Sequence, residues 1–231
     1  MCGRFALDAP LDALIETFVV THNRFPDWVP RWNIAPTTMV PLIVDTTAET
    51  RTRILGPARW SLTPSWSDTL ETKYPTFNAR SETAATKPTF RDGVKNYRGI
   101  IPASGYFEWH TEGRIKSPHY IAPTDGLFAF AALYSTWGSG ANTTVTATIL
   151  TMDAPAQLLA IHPRSPVALH RDSWDQWLDP AVVGDNTLVQ AAVAQSAEVY
   201  RSVTEHVVRP LHGDSPDLIS PREDDSLLPE N

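Results

Sequence analysis

Cys2 is the only cysteine in this chain of 231 residues, and it follows the initiator methionine directly. Initiator methionine is normally trimmed when the second residue is small, so the mature chain is expected to begin with a cysteine carrying a free α-amine beside its thiol. An α-amine titrates at about 7.7–8.0, far below lysine, and a useful fraction is unprotonated near neutral pH. Such an amine can condense with an aldehyde to an imine, and the adjacent thiol can close that imine to a five-membered thiazolidine. The plainer reading is a small buried hydrophobe at an inert, frayed chain end, and position alone does not choose between the two.

Other residues with chemical capacity are scattered along the chain. In Gly105-Tyr106-Phe107-Glu108-Trp109-His110, strand alternation puts Phe107 and Trp109 on one face and Tyr106, Glu108 and His110 on the other. A carboxyl among aromatic groups is desolvated, which raises its pKa and suits Glu108 to proton transfer near neutrality. A strand glutamate pointing to solvent is the competing reading. His162 sits in Ile161-His162-Pro163-Arg164-Ser165-Pro166, where the prolines restrict the loop and hold the ring in a defined place. Arg164 reads as a phosphate partner. In Asn78-Ala79-Arg80-Ser81-Glu82-Thr83, Asn78 can donate to a substrate hydroxyl or carbonyl, while Arg80 and the later Arg91 can meet phosphate. An ordinary solvated turn and helix start would look the same.

These residues need elements to carry them. Leu11, Leu14, Ile15 and Phe18 recur at helical spacing behind Asp8 and Pro10, so an amphipathic helix follows the opening segment. Short β-branched or aromatic runs at 39–44, 52–60, 99–103, 105–110, 118–122, 127–134 and 143–151 read as strands, separated by Gly, Pro, Asp and Asn signals. Helices are expected at 172–178 and 186–197, and a closing strand at 200–209. The fold class is therefore α+β: one domain with a curved, barrel-like, mainly antiparallel sheet flanked by helices. Residues 1–213 are expected to form that domain and 214–231 an acidic, flexible tail.

Composition sets further bounds. The net charge is −7 and 42% of residues are hydrophobic. From Asp214 onward six acidic residues face Arg222 alone, so the tail holds −5 and the body only −2. A local arginine cluster could still bind phosphate. The apolar run at 11–20 is broken by Asp12, Glu16 and Thr17, so neither a signal peptide nor a membrane span is expected, and the protein is placed in the cytoplasm. One cysteine allows no intramolecular disulfide and no multi-cysteine metal site; neither metal nor cofactor is called for.

Taken in order, Met1-Cys2-Gly3-Arg4-Phe5, Trp32-Asn33-Ile34-Ala35-Pro36-Thr37, Trp60 to Trp66, the Asn78 segment, Pro102 to Trp109 and Ile161 to Arg164 closely resemble the SOS-response-associated peptidase family of abasic-site processing proteins. The resemblance runs from residue 1 to about residue 170, with a weaker match near Ser215–Ile219. It implies a covalent reaction with abasic sites in single-stranded DNA, whose open-chain sugar supplies an aldehyde. It implies Cys2 as nucleophile, Asn78 as the group orienting the sugar, Glu108 as proton shuttle and His162 as the group assisting ring opening and reversal. Arg4, Asn33, Arg80 and Arg164 would contact the backbone, joined by Arg91, with Pro36 and Trp66 near displaced bases. The partner would be abasic single-stranded DNA, bound by a monomer on damaged DNA, with strand cleavage as a side activity. The family commonly has Trp-Gly-Leu where this chain has Trp60-Ser61-Leu62, and Arg-Cys where it has Arg98-Gly99.

Two other readings use the same residues. A cysteine peptidase or amidohydrolase would pair a Cys2 thiolate with His162 as base and Asn78 as oxyanion donor, with removal of Met1 as its minimal reaction. A non-catalytic single-strand-binding module would need only Trp66 and the arginines.

Overall fold

The computed structural model describes residues 3–46 and 51–222; Met1, Cys2, 47–50 and 223–231 lie outside the described residues, and with them the expected nucleophile. In chain order the elements are β1 (Arg4–Leu7), α1 (Leu11–Thr17), β2 (His22–Asn23), β3 (Arg31–Ile34), β4 (Met39–Thr46), β5 (Thr52–Trp60), β6 (Asn78–Arg80), α2 (Ser81–Ala84), α3 (Arg91–Asn96), β7 (Arg98–Ala103), β8 (Gly105–Glu112), β9 (Ile115–Pro123), β10 (Phe128–Trp137), β11 (Thr144–Asp153), β12 (Arg164–Pro166), α4 (Trp174–Leu178), α5 (Asn186–Val199) and β13 (Val203–Val207).

Long apolar strands bury both faces only if their sheet curls. Strands β11, β10, β7, β4 and β5 pair antiparallel in that order, and β5 returns to β11 in parallel through Thr146 opposite Arg59 and Ala147 opposite Trp60. That contact closes a barrel. A second antiparallel sheet, in the order β13-β9-β8-β1-β3, lies against it. Phe5 of β1 meets the barrel residues Trp60 and Phe130 edge-on, with ring centroids 5.0 and 6.4 Å away, a geometry favoured by aromatic quadrupoles. The expected α+β barrel-like fold is thus present.

Two glycines mark where strands come too close for a side chain. A Cβ on Gly99 would stand 2.7 Å from Leu42 Cδ1 and 3.0 Å from the Ile43 carbonyl, so β7 approaches β4 only because position 99 is bare. A Cβ on Gly105 would lie 2.4 Å from Tyr120 Cζ. Arg98, next to Gly99, is buried and donates to the carbonyls of Val94, Lys95, Trp177, Asp179 and Val182 at 2.7–2.8 Å. It satisfies orphan carbonyls at the ends of α3 and α4. Ser61 is buried with its hydroxyl 3.0 Å from Thr76 Oγ1.

Element boundaries differ from expectation where a short turn intervenes. The helix expected at 172–178 begins with a 3-10 turn, Arg171–Ser173. The strand expected from Tyr200 starts only at Val203, after another 3-10 turn. The 213/214 boundary is not a boundary in the packing: Asp214 accepts from Arg31 Nε and the Trp32 and Asn33 amides at 2.6–2.9 Å. Pro216–Ile219 forms a 3-10 turn with Leu218 buried. The described part of the supposed tail, 214–222, is therefore a docked segment. Among the described residues no helix is long and apolar enough to cross a membrane.

Candidate functional site

The predicted alternation in β8 holds. Phe107 turns into a small cluster with Ala6, Tyr120 and Val208, with Trp109 packed against it, while Tyr106 faces the main core. Glu108 shares the Tyr106 face and is 2% exposed. Burial pushes its carboxyl up to about 7, because taking a carboxylate out of water penalises its charged form. The solvent-facing reading of this residue is excluded. β1 runs antiparallel to β8 with Arg4 opposite Phe107, so the start of β1 lies one register position from Glu108.

His162 approaches the same carboxyl, its Nδ1 standing 3.7 Å from Glu108 Oε1. That separation is too long for a hydrogen bond. The Arg164 amide donates to Nδ1 at 3.0 Å, and the Arg164 carbonyl lies 3.1 Å from the same nitrogen. The amide hydrogen is fixed by the backbone whereas the ring proton can sit on either nitrogen, so Nδ1 is assigned as acceptor and the neutral ring carries its proton on Nε2. Burial pushes the imidazole pKa down. The pair near neutrality is thus an uncharged histidine and a carboxyl poised between its two forms.

Both edges of β11 serve this region. Along one edge β10 is succeeded by β12, with Thr151 opposite Pro166 and Asp153 opposite Arg164; along the other β5 is succeeded by β6, with Ile149 opposite Asn78 and Thr151 opposite Arg80. The Asn78–Arg80 strand and the strand leaving His162 therefore straddle one residue, Thr151. Tyr106 of β8 reaches across to Ser165 of β12, hydroxyl to hydroxyl at 3.2 Å. From the far side, α5 and the turn after it fix the chain beyond β12: Ser196 Oγ donates to the Ala168 carbonyl at 2.7 Å and Tyr200 OH to that of Pro166 at 2.9 Å.

Arg4 Nη1 donates to Asn33 Oδ1 at 2.6 Å, and Asn33 Nδ2 donates to the Gly213 carbonyl at 2.7 Å. Asn33 thus aims the arginine. Arg80 is exposed at the end of β6. Pro36 lies in the turn after β3, where Thr37 takes φ 73° and its amide donates to the Trp60 carbonyl. Trp66, 65% exposed, rides on the 61–77 excursion, whose ends are tied by Trp60 Nε1 donating to the Phe77 carbonyl at 2.9 Å. It borders a groove of about 270 Å³ with Pro64, Pro88, Thr89 and Tyr97.

Two arginines differ from the rest. Arg91 starts α3, exposed and 3.8 Å from Asp92, and α3 packs on β10 and β7. Arg164 is engaged by protein: Glu82 takes it bidentately at 2.5 and 3.0 Å, Asp153 Oδ1 accepts at 2.6 Å and the Thr151 carbonyl at 2.8 Å. The sequence reading missed these acidic partners. Glu82 could have been found, because it follows Arg80 by two residues at the start of a helix; Asp153 and Asp214 carry no local signal.

A family model described as SOS response associated peptidase (SRAP) matches residues 1–210. The chain is 34% identical over 227 residues to the abasic site processing protein YoqW of Bacillus subtilis (strain 168), covering 95% of this chain and 99% of that one. It is 33% identical over 189 residues to the abasic site processing protein YedK of Escherichia coli (strain K12), covering 80% and 82%. A crystal structure of a protein from Bacteroides thetaiotaomicron shares the fold with a TM-score of 0.80 at 21% identity, over 96% of this chain and all of that one. The match to the family model over most of the chain and the length of the identities to YoqW and YedK show that the chain belongs to the SOS response associated peptidase (SRAP) family.

Proposed function

We propose that this protein captures abasic sites in single-stranded DNA as a covalent thiazolidine on Cys2, formed after Met1 is removed. The observation that carries this reading is the buried Glu108 carboxyl, poised near neutral pH beside His162 and next to the strand through which the N-terminus enters the fold. The names of the relatives point to the same substrate.

Condensation needs a proton donor and then an acceptor. The Cys2 amine adds to the C1′ aldehyde of the ring-opened deoxyribose to give a carbinolamine. Protonated Glu108 donates to its hydroxyl, water leaves and a protonated imine remains. The carboxylate so formed takes the thiol proton as sulfur adds to the imine carbon, and the nitrogen keeps its own. One water is lost overall. A group with a pKa near 7 holds both forms in useful amounts at neutral pH, as both half-steps require. Neutral His162, with its proton on Nε2, hydrogen-bonds to the sugar ring oxygen, and the C1′ hydroxyl proton passes to that oxygen as the ring opens and back on reversal. Asn78 orients the sugar hydroxyl, Arg4 and Arg80 meet phosphates, and Trp66 and Pro36 lie against bases, contacts that position a strand without reading its sequence. Escape from the imine by β-elimination would cleave the strand, a minor outcome that ring closure suppresses.

Substitution at Cys2 tests the chemistry. With an oligonucleotide carrying one abasic site, Cys2→Ser is expected to give an imine trapped by borohydride and no adduct that survives heating. An N-terminal extension that blocks the amine is expected to abolish both. A heat-stable adduct from Cys2→Ser would overturn ring closure. Peptide cleavage lost in Cys2→Ala, with no DNA adduct from the unaltered protein, would establish the peptidase reading instead.

A further inference from the structure

The Arg164 guanidinium is one of the most heavily engaged cations in the described structure, and what it holds is the histidine loop. Its side chain is only 11% exposed. Glu82, on the first turn of α2, accepts from both Nη1 and Nη2, the fork geometry in which arginine and carboxylate fit best. Asp153, at the end of β11, accepts from Nη1, and the Thr151 carbonyl and hydroxyl lie at 2.8 and 3.5 Å from Nη2. Arg164 holds the Glu82 carboxyl below the usual carboxylate range, as expected of an acid bonded to a guanidinium. The arginine side chain thus ties α2, which directly follows the Asn78–Arg80 strand, to β11 and β12. Its main chain does something different: the Arg164 amide is the donor that occupies His162 Nδ1.

We propose that Glu82 is a positioning residue for His162, acting through Arg164. Locking the guanidinium fixes the backbone of residue 164; the fixed amide keeps Nδ1 an acceptor, so the neutral imidazole carries its proton on Nε2. The same lock keeps Asn78 and His162 in register across β11, since Glu82 lies in the helix continuous with β6. A DNA phosphate would have to displace two carboxylates to reach this guanidinium, so Arg164 organises the site from within the protein.

This inference rests on the covalent reading for its kinetic arm only. In ¹⁵N-resolved NMR of the full chain without DNA, the unaltered protein is expected to show His162 as a single Nε2–H tautomer. Glu82→Gln, which keeps the size but weakens the ion pair, is expected to show mixed tautomers. With abasic oligonucleotide, Glu82→Gln should lower the crosslinking rate constant at saturating DNA by about tenfold and change the half-saturating concentration by less than about twofold. Glu82→Asp should recover part of that loss. Loss of affinity at an unchanged rate constant would overturn the proposal and return Arg164 to the role of phosphate contact. An unchanged His162 tautomer would overturn it as well, whatever the kinetics. If Glu82→Gln does not fold, Asp153→Asn at the exposed end of the same network decides: a smaller fall in rate constant supports the lock, and a fall in affinity alone refutes it. Failure of the unaltered protein to form any adduct would defeat the covalent reading but leave the tautomer result to stand.

Discussion

Glu108 shows how a single residue acquires a function from its neighbours. Alternation in an aromatic strand foretold which way it points, and burial supplies the shift to about 7. Replacing it with glutamine removes both proton donor and acceptor, so crosslinking is expected to slow by about 100-fold, the lower end of general acid–base contributions. The unaltered protein is expected to show an inflection near pH 7 in rate against pH, and Glu108→Gln to lose it. Stability follows the same group with a definite sign. A carboxyl raised in the folded state contributes stability that is fully present below its ordinary value, 4.5, and is lost as pH rises through about 7. Glu108→Gln is therefore expected to melt at a higher temperature than the unaltered protein at about pH 8.5 and to differ little at about pH 5. A melting difference independent of pH would argue against a buried, ionisable Glu108. Position two and the lack of other thiols single out Cys2 in the sequence, but it lies outside the described residues. Arg164 was not legible in the sequence: a lone arginine between prolines looks like a phosphate ligand until its carboxylates come into view from positions 82 and 153.

At the scale of elements, the long strands, the site strand β8 among them, and α5 were visible in the sequence because their periodicity spans many residues, and the short site strands were not. β1, β3, β6 and β12 have three or four residues each, too few for alternation to stand out, and they exist because neighbouring strands offer them an edge. The same limit hid the docking of 213–220. Acidic and proline-bearing, that segment reads as a tail, yet Asp214 receives two amides and a guanidinium from β3. Although burial alone would raise it, Arg31 and those amides hold the Asp214 carboxyl below its usual value. Its contribution is present above the ordinary carboxylate range and lost on acidification. Asp214→Ala is expected to cost about 1.5–3 kcal/mol of stability, as for hydrogen bonds to a charged group. It should also weaken DNA binding several-fold, because Asn33, which aims Arg4, loses its backbone support. Truncation after Arg222 should do neither, and urea melts with fluorescence-anisotropy titrations of the two variants check both statements.

Across the whole molecule, barrel closure decides what the surface can hold. β5 reaches β11 and then leaves it for the 61–77 excursion before returning as β6, so the exposed Trp66 and the site residue Asn78 are the outer and inner ends of one interruption in a strand edge. The sequence forecast a curved sheet, but a two-residue parallel contact between chain-distant strands has no local signature. Net charge looked unfavourable for a nucleic-acid partner, and the structure narrows the cations available for one, since Arg98 and Arg164 are spent on protein carbonyls and carboxylates. Binding to single-stranded DNA is therefore expected to depend weakly on salt. With Arg4 and Arg80 as the principal contacts, the slope of log affinity against log salt should be about −1 to −2, given about −0.7 per phosphate neutralised on a single strand. A slope steeper than about −4 would require further cations, Arg91 first among them. The most direct measurement of the covalent reading is the intact mass of the adduct formed with an abasic oligonucleotide. The expected mass is that of the chain without Met1 plus the oligonucleotide less one water, and tandem mass spectra should place the link on Cys2. An adduct that retains Met1, or a link on any lysine, would contradict it.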